Sequence, residues 1–255
     1  MAEDDDTTLS DLSNSDIRTN IYEGGFKTWE CSVDLSSLLL DRGPRKDIDE
    51  LARVDNVIEL GAGTALPTLT LFQHALQNEY PVAFTLADYN SAVLRLVTLP
   101  NLLLTFARFN NERAFIPDDA GDLEVTPDLI SAFTDTLSQM GITLHFLSGP
   151  WSSDLLRLIP PSSPDMGTLV LAAETIYSPA STIAFVELVT QLLRRTRMAK
   201  AVIAAKKVYF GVGGSVDGLK EACNEKGAVA YEVENAGVPG MDQGVGRAIV
   251  EVQLY

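Results

Sequence analysis

The sequence predicts one α/β domain built on a mostly parallel, seven-stranded sheet with an antiparallel last strand. Three observations carry this. From residue 56 onward, short apolar runs alternate with stretches of helical periodicity, the pattern of a sheet covered by helices on both faces. The first run, "VIEL", opens straight into Gly61-Ala62-Gly63, and glycines at a strand end allow a tight turn or a close approach. The last two runs leave no room for a helix between them and are expected to pair as antiparallel neighbours. At 255 residues with 46% apolar side chains, the chain can build the core of one large domain.

The elements follow in order. Residues 1–20 are acidic, rich in Ser, Thr and Asn and without periodicity, and are expected to form a flexible tail before a domain over 21–255. Residues 30–42 set Val33, Leu35, Leu38 and Leu39 at mostly helical spacing and stop at Gly43-Pro44. "NVIEL" is a buried strand, and 65–77 a helix with Leu66, Leu69 and Phe72 on one face. "VAFTLAD" is the second strand. Helices over 91–98 and 101–109 are expected to be divided at Leu99-Pro100. Residues 110–141 read as a polar insertion with one helix at 127–139. "ITLHFLSG" and "TLVLAAE" are strands three and four, with a Pro/Ser-rich loop at 160–165 before the latter. Ser178-Pro179 opens a helix to about residue 195, "KAVIAAK" is strand five, 215–226 is a helix, and "AVAYEVE" and "AIVEVQLY" are the last strands.

Composition limits the function classes. A net charge of −16 opposes non-specific binding to nucleic acid or anionic membrane. It favours a basic partner, or serves solubility alone. Cys31 and Cys223 form no C-x-x-C, which fits a reduced, intracellular protein. His74 and His145 are the only histidines and read as structural; with no Cys/His cluster and no H-E-x-x-H, no metal site is expected. The N-terminus lacks the basic and apolar regions of a signal peptide. The richest apolar stretch, 93–107, is interrupted by Arg95, Pro100 and Asn101, so no membrane span is expected.

Ligands of open α/β sheets bind beyond the carboxyl ends of the strands, where strand order reverses. Gly61, Ala62 and Gly63 stand at the end of the first strand and Asp88 at the end of the second, where a carboxylate can accept from ribose hydroxyls. A dinucleotide fingerprint needs a third glycine where this chain has Leu66, and a phosphate loop needs Gly-Lys-Ser/Thr, which is absent. A nucleoside without a diphosphate fits better, and S-adenosylmethionine is one. Glu59 is a candidate for its ammonium. A glycine turn kept for packing alone is the competing reading.

Further motifs occur in a fixed order: "YEGGFKTWECSVDL" (22–35), "VIELGAG" (57–63), "ADYN" (87–90), "TLPN" (98–101), "SGPW" (148–151), "AETIY" (173–177) and "YFGVGG" (209–214). Together they resemble the histidine protein methyltransferases, a branch of the seven-β-strand methyltransferases. The resemblance covers 22–255 and implies a Rossmann-like methyltransferase domain that uses S-adenosylmethionine and no metal. It implies a basic protein substrate, a large-subunit ribosomal protein methylated on histidine. It also implies a monomer working in the cytoplasm or nucleus.

By the resemblance, Trp29 and Glu30 border the methionine end of the cofactor, and Gly61, Ala62 and Gly63 cradle its amino-acid tail. Asp88 takes the ribose with Tyr89 and Asn90 beside it, Gly149 and Trp151 meet the adenine, and Ala173 lies at the methyl end. Glu174 and Tyr177 are the catalytic candidates: one holds the acceptor, the other walls its pocket. Thr175, Tyr209, Phe210, Gly211, Gly213 and Gly214 are expected to shape the acceptor groove, the last five on a mobile rim. A lysine methyltransferase would use the same carboxylate and tyrosine. A non-catalytic cofactor-binding protein and a nucleotide oxidoreductase are the remaining alternatives.

Overall fold

The structure, a computed structural model, describes residues 17–18, 22–41, 53–110, 122–233, 240–241 and 244–255. Most of the acidic N-terminal stretch, Gly43-Pro44 and much of the 110–141 insertion lie outside these residues.

A two-stranded antiparallel hairpin, β1 (Ile17–Arg18) and β2 (Tyr22–Glu23), precedes helix α1 (Glu30–Leu40). The main sheet contains β3 (Val54–Leu60), β4 (Ala83–Asp88), β5 (Thr143–Ser148), β6 (Gly167–Ala173), β7 (Ala199–Lys206), β8 (Ala228–Glu232) and β9 (Arg247–Leu254). Its spatial order is β5-β4-β3-β6-β7-β9-β8. The pairs from β5 to β7 are parallel, and β9 runs antiparallel between β7 and β8. This is the seven-stranded, mostly parallel architecture that the alternation predicts. The chain winds outward from β3 to β5, then returns to place β6 on the other side of β3. The carboxyl ends of β3 and β6 therefore meet at the reversal of strand order, where a crevice opens.

Strand alternation feeds two cores. Leu169 and Leu171 of β6 face one layer; Val170 and Ala172 face the other. The first layer holds α1, α2 (Leu66–Asn78), the helical run α3 (Ser91–Phe109) and α4 (Pro127–Met140). Phe72, Phe84, Phe106 and Phe133 interlock there edge to face, with ring centroids 5.2–6.5 Å apart. The second layer holds α5 (Ser153–Leu158), α6 (Pro179–Leu193) and α7 (Val216–Glu225).

Several expectations change. The helix over 91–109 is not divided at Pro100. It is continuous, with a π-helical segment at Leu94–Thr98 just before the proline. A widened turn there accommodates the missing amide without ending the helix. The run is consequently long and apolar enough to cross a membrane by length and composition, yet Leu102, Leu103, Phe106 and Ala107 pack into the first core. Val33 is 48% exposed, while Asp34 on the same helix is buried against Arg247 of β9; the guanidinium Nε donates to Asp34 Oδ2 at 2.5 Å. Helix α5 and the N-terminal hairpin are unanticipated. Ser152 caps α5 by accepting the Leu155 amide.

Candidate active site

The turn after β3 uses three left-handed residues: Gly61 (φ +70°), Gly63 (φ +51°) and Ala65 (φ +57°). Gly61 must also be small. A β-carbon on it would lie 2.8 Å from Thr175 Cγ2, on the segment after β6. The loop's amides are turned inward. Gly61 and Ala62 N–H both donate to Ala87 O, at 2.8 and 2.9 Å, and Gly63 N–H donates to Asp88 Oδ2 at 3.0 Å. Its carbonyls are held from α3. Thr98 Oγ1, at the end of the π segment, donates to Gly63 O at 2.7 Å, and Asn101 Nδ2 donates to Thr64 O at 3.0 Å. Thus "TLPN" positions the glycine loop.

A cavity of about 300 Å³ opens over this loop. Its walls come from the strand ends and from the segment between β2 and α1. Trp29, Gly61, Ala62, Gly63, Asp88, Tyr89, Gly149, Trp151, Ala173, Glu174, Thr175 and Tyr177 all line it. So do Gly24, Gly25, Lys27 and Ser32 from the N-terminal segment, Thr64, Pro150, and the first turns of α6 at Ala180, Ser181 and Ala184. Nothing in the sequence alone singles those residues out. The motif "YEGGFKTWECS" contains the first group, but no spacing rule says it folds over the glycine loop.

Trp29 is fixed as a wall. Its indole N–H donates to Gly24 O at 2.8 Å, and Lys27 Nζ lies 3.9 Å from the ring centroid. Trp151 packs edge to face on Phe185 at 6.1 Å and keeps another surface on the cavity. Gly149 has φ +143°, and a β-carbon there would meet nothing within 4 Å.

Asp88 is 3% exposed and accepts the Gly63 and Asn90 amides, each at 3.0 Å. Burial pushes its carboxyl above the ordinary range against those bonds. It staples the loop as well as lining the cavity.

The other predicted residues do not line the cavity. Glu30 is exposed on α1. Glu59 is 1% exposed beneath the loop, where Oε2 accepts the Thr68 amide at 2.9 Å. Thr68 lies in the first turn of α2, so this carboxyl caps a helix rather than facing a ligand. Burial pushes it up to about 8. Asn90 caps α3, accepting the Ala92 amide at 3.0 Å. Tyr209, Phe210, Gly211, Gly213 and Gly214 also stand off the cavity. Their turn is tied by Tyr209 N–H to Gly214 O at 2.8 Å and Gly213 N–H to Tyr209 O at 3.0 Å. Gly214 sits against the Ile176 and Tyr177 backbone, where no β-carbon fits. Phe210 points outward, 80% exposed.

Glu174 follows β6 in a left-handed conformation, φ +58°, unusual outside glycine. Tyr209 OH donates to its Oε2 at 2.5 Å, and Lys206 Nζ lies 3.6 Å from its Oε1. Oε1 and the neighbouring Thr175 Oγ1 are both buried without a hydrogen-bond partner. Burial, then the Glu174 charge and a side-chain hydrogen bond to Glu174, push the Cys31 thiol up, so Cys31 is a neutral neighbour of that carboxylate and no thiolate nucleophile. Among the described residues no cluster of His, Cys, Asp and Glu is arranged for a metal. His74 contacts Asn78, and His145 is half-buried on β5.

The chain is 38% identical over 238 residues to histidine protein methyltransferase 1 of Saccharomyces cerevisiae, covering 87% of this chain and 62% of that protein. It is 40% identical over 215 residues to the Schizosaccharomyces pombe protein of the same name, covering 84% and 60%. The chain is homologous to the histidine protein methyltransferases. The similarity extends to animals, with 27% identity to the Bos taurus homolog over 94% of this chain and 58% of that one. The chain thus spans about 60% of the length of the curated relatives it matches. No family model matches it.

Proposed function

We propose that this chain is an S-adenosylmethionine-dependent protein-histidine N-methyltransferase whose substrate is a basic protein of the large ribosomal subunit. The carrying observation is the cavity over the glycine loop, in a chain with these relatives. Amides of Gly61, Ala62 and Gly63 are all engaged by β4, so the loop offers no row of N–H donors to a pyrophosphate. It offers glycine surface to a ligand that carries a cation instead. Asp88 and Glu174 make the lining acidic, and Tyr89 and Trp151 supply aromatic surface suited to a purine. The partnerless Glu174 Oε1 and Thr175 Oγ1 fit a ligand that completes their hydrogen bonding. Leu66 still stands where a dinucleotide loop needs glycine.

When bound, S-adenosylmethionine supplies an electrophilic methyl on a sulfonium. The residues of the chain provide orientation and charge. An acceptor imidazole has an ordinary pKa of about 6.5, so roughly three quarters of it is neutral at pH 7 and needs no base. The Glu174 carboxylate accepts the N–H on the far side of that ring. It fixes the tautomer and stabilises the positive charge that develops. Tyr177 walls the acceptor. The net charge of −16 draws in a basic protein.

The test is transfer of tritium from labelled S-adenosylmethionine to large-subunit proteins prepared from cells lacking this protein, followed by amino-acid analysis. Labelled methylhistidine is expected. Methyllysine would assign the lysine reading, and no transfer to any large-subunit protein would overturn the proposed substrate.

A further inference from the structure

We propose that Tyr209 is a positioning residue for this reaction, holding the Glu174 carboxylate through Oε2 so that its charge is fixed at the edge of the acceptor pocket. The inference rests on the function proposed above. It replaces the rim role that the glycine-rich motif suggests for Tyr209.

The argument starts from who donates to whom. The Tyr209 ring is buried, 9% exposed, and its oxygen accepts the Lys206 amide at 3.3 Å. An oxygen that accepts there directs its own proton elsewhere, and that proton goes to Glu174 Oε2 at 2.5 Å. The bond is charge-assisted and short. Glu174 needs such an anchor because its side chain is only 8% exposed, and a buried carboxylate without donors is costly. With Oε2 taken, Oε1 is left buried without a hydrogen-bond partner in a residue that lines the cavity, and the hydroxyl of the next residue, Thr175, is in the same condition. Lys206 Nζ lies 3.6 Å from Oε1, a distance that balances charge without occupying the lone pairs. Tyr209 itself does not line the cavity. It reaches the acceptor only through Glu174.

The turn that follows explains why a tyrosine can be held there. Its backbone is closed by Tyr209 N–H to Gly214 O, and Gly214 fits against the Tyr177 carbonyl with no space for a side chain. The glycines of "YFGVGG" thus seat Tyr209 under Glu174 rather than make a flap.

The test is a double-mutant cycle of Tyr209→Phe and Glu174→Gln in single-turnover methylation of the same large-subunit proteins. Melting temperature and S-adenosylhomocysteine affinity are measured on each variant. Tyr209→Phe is expected to lower turnover about tenfold, the size of one lost bond to a charged group. Cofactor affinity should stay within about twofold, since Tyr209 does not touch the cavity. The double variant should be no slower than Glu174→Gln alone, because a residue acting through another adds nothing once that other is gone. Tyr209→His, which keeps a ring N–H donor on the same side, is carried through the same cycle and should lose less turnover than Tyr209→Phe, so misfolding of one variant leaves the other to decide. Wild-type turnover in a folded Tyr209→Phe, or losses that simply multiply, would overturn the inference. Absence of methylhistidine with the wild-type chain would instead overturn the function on which it rests.

Discussion

Glu59→Gln should make this protein more stable at neutral and alkaline pH. Glu59 is 1% exposed, and burial pushes its carboxyl up to about 8 from an ordinary 4.5. Between those values the unfolded chain has lost the proton and the folded chain keeps it. For an acid raised in the folded state, the contribution is full below 4.5 and is lost as pH rises toward 8. The loss runs at about 1.4 kcal/mol per pH unit, or about 4 kcal/mol between pH 5 and pH 8. Glutamine keeps the carbonyl that accepts the Thr68 amide and never ionises. Urea unfolding of both proteins at pH 5, 6.5 and 8 gives the test. The variant and wild type should be closest at pH 5, with the gap widening in the variant's favour at each step. A wild type that becomes relatively more stable as pH rises would refute the reasoning. It would mean that Glu59 is an anion held by the N-terminus of α2.

Glu174→Gln should keep S-adenosylhomocysteine affinity and lose about 10²-fold in single-turnover rate, because the amide accepts a hydrogen bond without the charge that stabilises an imidazolium; lost affinity with normal chemistry at saturation would move it to the cofactor's side. Asp88→Ala strips a carboxylate from the Gly63 and Asn90 amides, bonds worth about 1.5–3 kcal/mol each. Calorimetry should show at least tenfold weaker S-adenosylhomocysteine binding, with no NAD binding to either protein. Arg247→Met leaves Asp34 buried without its ion partner and should cost about 3–5 kcal/mol in urea unfolding; under 1 kcal/mol would show that the pair adds little. Substrate KM should rise with salt, because steering is screened beyond about 8–10 Å; a KM that ignores salt would remove charge steering.

The fold was legible because it is written locally. Apolar runs, Ser178-Pro179 and the missing helix before β9 each report on their own neighbourhood, and the sheet follows from them. Pro100 misled for the same reason. Its local preference ends helices, but Leu102 and Phe106 bury on the far side and Thr98 and Asn101 bond the glycine loop, so tertiary contacts carry the helix through. The site was legible at strand ends, where a register argument aims Asp88 and Glu174 at one edge. Lys27, Ser32 and Ala184 reach the cavity only through a hairpin turn and a helix face brought in from elsewhere. No periodicity reports that. Motif membership was not a guide to role either: Asn90 and Tyr209 stand in named motifs and serve neighbours, not the cavity.

Three carboxyl groups at the carboxyl edge of this sheet show how one residue type is divided among roles. Glu59, Asp88 and Glu174 lie on or just past β3, β4 and β6. Sequence position alone makes each a candidate for the ligand. What separates them is which oxygens are already occupied. Glu59 has no face on the cavity and gives its oxygen to the Thr68 amide. Asp88 gives one oxygen to Gly63 and the other to Asn90, so its first duty is the shape of the loop. Of the three, only Glu174 both lines the cavity and keeps a buried oxygen with no hydrogen bond, and Tyr209 and Lys206 supply what such a charge needs to stay there. A buried anion without those partners would cost several kcal/mol. The proposed chemistry therefore falls to the carboxylate that the fold has both stabilised and left unfinished.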